Sequence, residues 1–111
     1  TSVTANTVTT SSITANQTIA SYQLTGSAVT GVEFLVKGHD TPGAKYSVAT
    51  VLAVTDGTDV DYAIFGTVRI VTSTGALAVN VGNVSGNFFV DLQVTPSSSN
   101  STTWTTQIRT I

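Results

Sequence analysis

The sequence predicts an all-β domain, either an antiparallel β-sandwich of jelly-roll-like type or a small barrel of about seven to eight strands. Three observations predict it. The composition is rich in Thr and Val, and β-branched side chains suit a pleated, half-buried surface. Apolar residues alternate with polar ones, which is the period of a strand. Gly-, Pro-, Asn- and Ser-rich turn signals separate these runs at roughly 8–12-residue spacing.

The first stretch, residues 1–16, predicts an N-terminal arm ahead of a single β domain at residues 17–111. Val3-Thr4-Ala5-Asn6 returns ten positions later as Ile13-Thr14-Ala15-Asn16. Such a segment is an ordinary edge strand, or a fibre-like shaft in which several chains wind together and bury a thin apolar line. The shaft alternative makes three apolar residues candidates for a subunit interface: Val3, Val8 and Ile13.

Two strands and a loop follow the arm. Residues 17–24 carry Ile19 and Leu24, and residues 29–37 carry the apolar cluster around Phe34. Gly38 to Gly43 contains two Gly and a Pro, which predicts a loop.

A long hairpin is predicted next, and we expect it at the centre of a sheet. Two alternating runs, residues 45–55 and 60–71, flank Asp56-Gly57-Thr58, and Asp-Gly between such runs is a strong hairpin signal. In the second run Ile64 and Phe65 are adjacent, so their side chains point to opposite faces of the sheet. Either both sheet faces are covered, or the Phe65 ring is exposed at an interface. We expect the interface.

Three more strands complete the chain. Leu77 to Val81 and Phe88 to Val94 alternate on either side of a Gly-bounded turn, and Phe89, opposite Phe88, is a second interface candidate. Pro96 to Asn100 predicts the last loop. The closing strand from Thr102 places Trp104, Thr106 and Ile108 on one face.

Composition excludes several function classes. The 111 residues are 41% hydrophobic but only 9% charged, with a net charge of −2 and no Cys. Four scattered basic residues do not neutralise a run of phosphates, so we expect no nucleic-acid partner. No apolar run approaches membrane-spanning length, and no signal peptide is evident. The chain begins at Thr1 rather than Met, as expected of a processed product or a piece of a longer protein.

Few residues are arranged for chemistry. His39 beside Asp40 lacks a marked nucleophile, and no pair of carboxylates can be placed across a cleft, so we predict no catalytic residue and no cofactor. Asp56, Asp59 and Asp61 offer oxygen ligands to a cation, but the run lacks the glycine and glutamate spacing of a calcium loop, and Asp56 is already explained by the turn. We therefore predict no metal site, with these aspartates as weak candidates. An exposed Tyr or Trp is the feature that would indicate sugar binding.

From Tyr46 to Ile111 the order of motifs resembles a tail-fibre-like virion structural module of contractile-tailed bacteriophages, notably those of marine cyanobacteria. The likeness lies in the Tyr-led strand, the Asp-Gly-Thr turn at Asp56, the small-residue turn before Leu77, the strand ending Val94-Thr95-Pro96, the Ser/Asn/Thr loop and the terminal Arg109-Thr110-Ile111. Val84-Ser85 and Phe88-Phe89 depart from the family pattern.

The resemblance implies a non-enzymatic virion protein: a surface appendage such as a tail-fibre or head-fibre tip that contacts the host. It also implies partners, namely further copies of the chain in a homotrimer, other virion proteins and a host surface glycan. Two alternatives are a capsid decoration, cement or knob protein, and a free carbohydrate-binding module.

Overall fold

The computed structural model describes residues 3–24, 30–56, 58–70, 74–84 and 86–110, with the side chains of residues 3–5, 83 and 84 outside that description. The strands are β1 (Val3–Thr10), β2 (Gln17–Gln23), β3 (Thr30–Asp40), β4 (Lys45–Thr55), β5 (Val60–Ile70), β6 (Gly75–Val84), β7 (Asn87–Pro96) and β8 (Thr102–Thr110). Within the described ranges no helix is long and apolar enough to cross a membrane.

The strands form two antiparallel sheets, which confirms the predicted all-β class. Of the two predicted architectures, a sandwich or a small barrel, the structure has the sandwich. Sheet A has five strands in the order β1-β8-β3-β4-β5, and sheet B has three in the order β2-β7-β6. The hairpin predicted around Asp56 is present as β4 and β5, which pair from Tyr46 with Ile70 to Thr55 with Val60.

The prediction that this hairpin lies at the centre of a sheet is wrong, because β5 is an edge strand of sheet A. The central strand is β3, which pairs with β8 on one side and with β4 on the other. Local alternation fixes that a run is a strand, but a strand's position in the sheet depends on pairings between segments far apart in sequence.

The core lies between the sheets. Alternate residues of β3, β4, β7 and β8 point into it, and the largest wholly buried side chains are Trp104, Phe34, Ile19 and Leu92. Trp104, Thr106 and Ile108 share one face of β8, as predicted, and the structure shows that this face is buried. Among the described residues, Thr106 carries the buried side-chain oxygen that has no hydrogen-bond partner.

Trp104 joins the edge strand β1 to the core. Its indole Nε1 donates a hydrogen bond of 2.9 Å to Oγ1 of the buried Thr10, the last residue of β1. On the other side, Gly38 of β3 leaves room for the ring, because a Cβ at this position would lie 2.6 Å from an indole carbon. In this structure β1 is an edge strand paired along its length with β8.

Sheet B is too narrow to cover sheet A. Neighbouring strands lie about 4.8 Å apart, so five strands span roughly 19 Å between their outer axes and three span roughly 10 Å. At one side β2 contacts β1 and β8, while β6 approaches β5 at the other. A cleft of about 210 Å³ opens between β5 and β6, lined by Ile64, Arg69 and Leu77 among others. The mismatch in width leaves β5 largely outside the sandwich.

Candidate interaction surface

The outer face of sheet A is divided into a polar half and an apolar half. On β8 the outward residues, which alternate with the buried ones, are Thr103, Thr105, Gln107 and Arg109. This is the usual chemistry of a solvated sheet face.

The apolar half lies on β3, β4 and β5, and we call it the β3–β5 face. Cross-strand pairs place Leu35 beside Thr50, Val48 beside Val68 and Tyr46 beside Ile70 on the same side. Eight large apolar side chains are exposed there: Leu35, Tyr46, Val48, Leu52, Val54, Phe65, Val68 and Ile70. One sheet surface thus changes from Thr- and Gln-rich to Val-, Leu- and Phe-rich between β8 and β4.

β5 is exposed on both of its faces. Every residue after Val60 is exposed, including Phe65 (48%) on the outer side and Ile64 (43%) on the inner side. A β-bulge interrupts the β4–β5 pairing between the Val48–Val68 pair and the Thr50–Phe65 pair. Gly66 lies on the bulged strand, β5, with a φ of 64°. Glycine accepts that angle with little strain. A long edge strand with apolar side chains on both sides is a surface that another protein chain would bury.

Charge is polarised along the β3–β5 face. At one end Lys37 and His39 of β3, together with Tyr46, Val48 and Val68, line a depression of about 230 Å³. At the other end, a depression of about 270 Å³ beside Val54 is lined by Asp56, Asp59 and Asp61. Lys37 pairs with Val48 and Asp61 pairs with Val54, so the two charges lie about 20 Å apart along the strands.

The acidic end is built by a turn. One carboxylate oxygen of Asp56, Oδ1, accepts hydrogen bonds from the backbone N–H groups of Asp59 at 2.8 Å and Thr58 at 2.9 Å. These two donors hold the pKa of Asp56 below its ordinary value, against a smaller opposing effect of desolvation. Asp56 therefore has the turn role that the sequence indicated.

The three aspartates line the same depression but are not placed to share a metal ion. Asp61 accepts a hydrogen bond from the backbone N–H of Tyr62. In the part of the chain that is described, no group of three or more His, Cys, Asp or Glu residues is placed to hold a metal ion.

His39 and Asp40 point to opposite sides of β3. The His39 ring packs on Tyr46 with 4.7 Å between ring centroids, on the outer face. Asp40 is buried and accepts hydrogen bonds from the Gly43 N–H at 3.0 Å, the Ser98 hydroxyl at 3.0 Å and the Asn100 amide at 3.4 Å. Successive residues of a strand face opposite ways, so Asp40 does not orient the imidazole.

Asp40 ties the loop after β3 to the loop before β8. Burial raises the pKa of its carboxyl, but the hydrogen bonds from Gly43, Ser98 and Asn100 and the charge of Lys45 together outweigh burial. The pKa of Asp40 therefore lies below 3.8, its ordinary value.

The structure does not bring the predicted interface residues together. Phe65 lies on β5 at one edge of sheet A, whereas Phe89 is half-buried on the middle strand of sheet B. Val8 of β1 packs partly against the core, and Ile13, 63% exposed, lies between β1 and β2. The side chain of Val3 is outside the described residues. Which of these positions contact another subunit stays a prediction.

Sequence reasoning missed the outward residues of β4, although a signal for them was present. From Val48 to Val54 the sequence reads Val-Ala-Thr-Val-Leu-Ala-Val, apolar at both alternating sets. A nearly continuous apolar run is typical of a strand covered on both faces. Ala49, Val51 and Ala53 face the core, which leaves Val48, Leu52 and Val54 for the outer side.

No protein-family model matches this chain, and no curated protein matches it in sequence. Among solved structures, the chain is similar to part of the tailspike protein of Acinetobacter phage vB_ApiP_P1, with a TM-score of 0.49 and 14% sequence identity. The similarity covers 96% of this chain and 21% of that chain, so the chain spans about a fifth of the length of the tailspike.

Proposed function

We propose that this chain is a non-enzymatic structural module of a tailed-phage virion, part of a surface appendage whose β3–β5 face is buried against protein. The observation that carries the proposal is the division of one sheet surface. β8 presents Thr103, Thr105 and Gln107 outward, whereas β4 and β5 present Leu52, Phe65 and Val68. The motif order from Tyr46 to Ile111 supports the virion part of the proposal.

The exposed area supports a protein partner. The eight apolar side chains of the face expose roughly 700 Å² together, since large side chains offer on the order of 150–250 Å² each. The largest apolar patch of an ordinary monomer is roughly 300–600 Å². A standard protein–protein interface buries about 800 Å² on each partner, so the β3–β5 face has the size of an interface.

We propose further that the chain belongs to a tail-fibre or head-fibre tip that contacts the host, and that several copies associate. A threefold assembly, expected from the sequence, is one arrangement of these copies. A capsid decoration protein is the alternative position on the particle.

Locating the chain on intact particles tests the proposal. Antibody raised against the 111-residue chain is applied to purified phage particles and followed by gold labelling in the electron microscope. Label at tail or head fibres supports the appendage, and uniform label over the head supports decoration instead. A chain that stays entirely in the soluble fraction of the lysate contradicts both.

A carbohydrate-binding module is the second candidate, favoured by the ring pair of Tyr46 and His39 on the outer face. Trp104 is 2% exposed and offers no platform for a sugar. Titration with bacterial surface glycans tests this candidate. The NMR shifts of the His39 ring are followed in the parent chain and in Tyr46→Ala. Shifts that saturate in the parent chain and vanish in the variant support it, and unchanged spectra refute it.

A further inference from the structure

We propose that the partner of the β3–β5 face is a second copy of this chain, stacked face to face and antiparallel about a twofold axis. This inference deepens the proposed function, because it names what covers the face. The axis runs across the strands near Thr50, which pairs with Phe65. β4 of one copy then lies over β4 of the other, running in the opposite direction.

Charge selects this orientation. The acidic end of the face carries Asp61, with Asp56 and Asp59 beside it, and the basic end carries Lys37. Glu33, which also lies on the outer side of β3, is already paired with Arg109 at 2.6 Å. An antiparallel stack about this axis places β3 over β3 and β5 over β5, so Lys37 of each copy lies over Glu33 of the other and each acidic end lies over the other copy's basic end. Copies related by an axis parallel to the strands, as in a threefold bundle, place like ends level with each other, which is unfavourable.

The symmetry of the face agrees with this arrangement. On β4 the outward residues are Tyr46, Val48, Thr50, Leu52 and Val54, which are spaced evenly about Thr50. A twofold interface requires a self-complementary surface, in which residue i meets residue j and residue j meets residue i. Tyr46 therefore meets Val54 of the second copy, and Thr50 meets its own equivalent.

The area is sufficient for a stable pair. Two faces of roughly 700 Å² bury about 1,400 Å² in total, within the roughly 1,200–2,000 Å² of specific interfaces. Sheets that stack face to face keep their strands within about 30° of each other, and antiparallel copies meet this condition.

Light scattering on the 111-residue chain as it elutes from a size-exclusion column provides the first test. We expect twice the chain mass of 11.4 kDa for the parent protein. Leu52→Asp places a charge in the middle of the face and should give the single-chain mass, while Ile13→Asp, at an exposed position far from the face, should leave the pair intact. Circular dichroism checks that both variants are folded. A parent chain that is a monomer at about 100 µM, or a trimer, overturns the inference.

Charge reversal tests the orientation. Lys37→Glu puts like charges together in the antiparallel stack, so we expect the dissociation constant to rise about tenfold, because the twofold axis repeats the contact. In a stack with like ends together the same change relieves repulsion and tightens binding. Glu33→Lys combined with Lys37→Glu should recover most of the affinity, because Lys37 of one copy lies over Glu33 of the other. Tighter binding by the single variant overturns the antiparallel arrangement.

Engineered cysteines report the register directly, since the chain has no natural Cys. Tyr46→Cys mixed with Val54→Cys should be joined by a short bis-maleimide cross-linker, because stacked sheets lie about 10 Å apart and a disulfide does not span that distance. Tyr46→Cys alone should not be cross-linked. The two positions are about 26 Å apart within one copy. Pairing of Tyr46→Cys with itself contradicts the proposal.

These results are separable from the test of the proposed function. A trimer in solution that is found on particles overturns the twofold packing and leaves the virion role standing. A twofold dimer in solution that is absent from particles supports the twofold packing and overturns the virion role.

Discussion

β3 and β5 are strands of the same length in the same sheet, yet their surroundings are opposite. Both contain eleven residues. Every second side chain of β3 is buried, from Val32 to Asp40, whereas every residue of β5 after Val60 is exposed. The apolar character of the two strands does not explain the difference. Burial here depends on which strands of sheet A lie beneath sheet B, and β5 lies beyond its edge.

The comparison also assigns different roles to apolar residues of the same type. On β3 they stabilise the single chain, because they are removed from water within it. On β5 and on the outer side of β4 they contribute little to the single chain and favour its association. Paired substitutions on the two strands test this division.

The largest expected effect comes from truncating a phenylalanine. Phe34→Ala removes a wholly buried ring and should lower the free energy of unfolding by about 3–5 kcal/mol. Phe65→Ala, the same change on β5, should alter the stability of the dilute chain by less than about 0.5 kcal/mol. Urea denaturation at low protein concentration measures both values. Equal losses at the two positions would mean that β5 is packed within the single chain.

Adding a methyl group to a glycine gives the next largest effect. Gly38→Ala would place a Cβ 2.6 Å from the Trp104 ring and 2.5 Å from Oγ1 of Thr74, so we expect a loss of about 2–3 kcal/mol. At Gly66 on β5 nothing lies within 4 Å of the added carbon, and only the positive φ opposes it. Gly66→Ala should therefore cost about 1 kcal/mol. Thermal denaturation ranks the two variants, and a larger loss at Gly66 would contradict the packing around Trp104.

A smaller effect is expected at Asp40, and it depends on pH. Asp40→Asn weakens the hydrogen bonds from Gly43, Ser98 and Asn100 and should cost about 1–2 kcal/mol at pH 7. The folded-state pKa of Asp40 is lowered below 3.8, so the stabilisation by its ionised form is complete above that value and is lost as the pH falls through the folded-state pKa. The difference between parent and variant should shrink in that acidic range.

Asp61→Asn on β5 is the matched control for Asp40. Asp61 is exposed, so its substitution should leave the stability of the dilute chain within about 0.5 kcal/mol. Urea denaturation from pH 7 to pH 2 measures both variants. A gap between parent and Asp40→Asn that widens as the pH falls would contradict the lowered pKa.

The smallest expected effect is a gain in stability. Thr106 of β8, the neighbour of β3, buries a hydroxyl without a hydrogen-bond partner among the described residues. Thr106→Val replaces it with a methyl group of similar shape and should raise the free energy of unfolding by about 1 kcal/mol. Thr67→Val on exposed β5 should change it by only a few tenths. A loss of stability in Thr106→Val would indicate that the hydroxyl is satisfied by a buried water.

The fold followed from local signals to a large extent. Alternation around Asp56 predicted the β4–β5 hairpin, and alternation from Thr102 predicted that Trp104, Thr106 and Ile108 share one face of β8. These two predictions succeed because the two faces of a strand differ in polarity, and that difference is visible in the alternation of the sequence. At β4 the alternation does not identify the core side, because Val48 and Leu52 on one face are as apolar as Ala49 and Val51 on the other.

The candidate site was anticipated at one residue, Phe65, and otherwise depended on pairing. Val68 and Ile70 become part of one surface with Tyr46 and Val48 only through the register between β4 and β5. The same is true of the charges. Lys37 and Asp61 are far apart in sequence and share a face only because β3, β4 and β5 are neighbours in sheet A.

By itself, the sequence determined that this chain is an antiparallel β domain, with its turns near Asp56 and Pro96 and with Trp104, Thr106 and Ile108 on one face of a strand. These properties follow from side-chain period and turn chemistry, which act over a few residues. Only the tertiary structure decided that β5 is an edge strand and that the β3–β5 face is apolar and charge-polarised. The physical reason is that strand order and the relative widths of two sheets arise from contacts between distant segments, which no local pattern encodes.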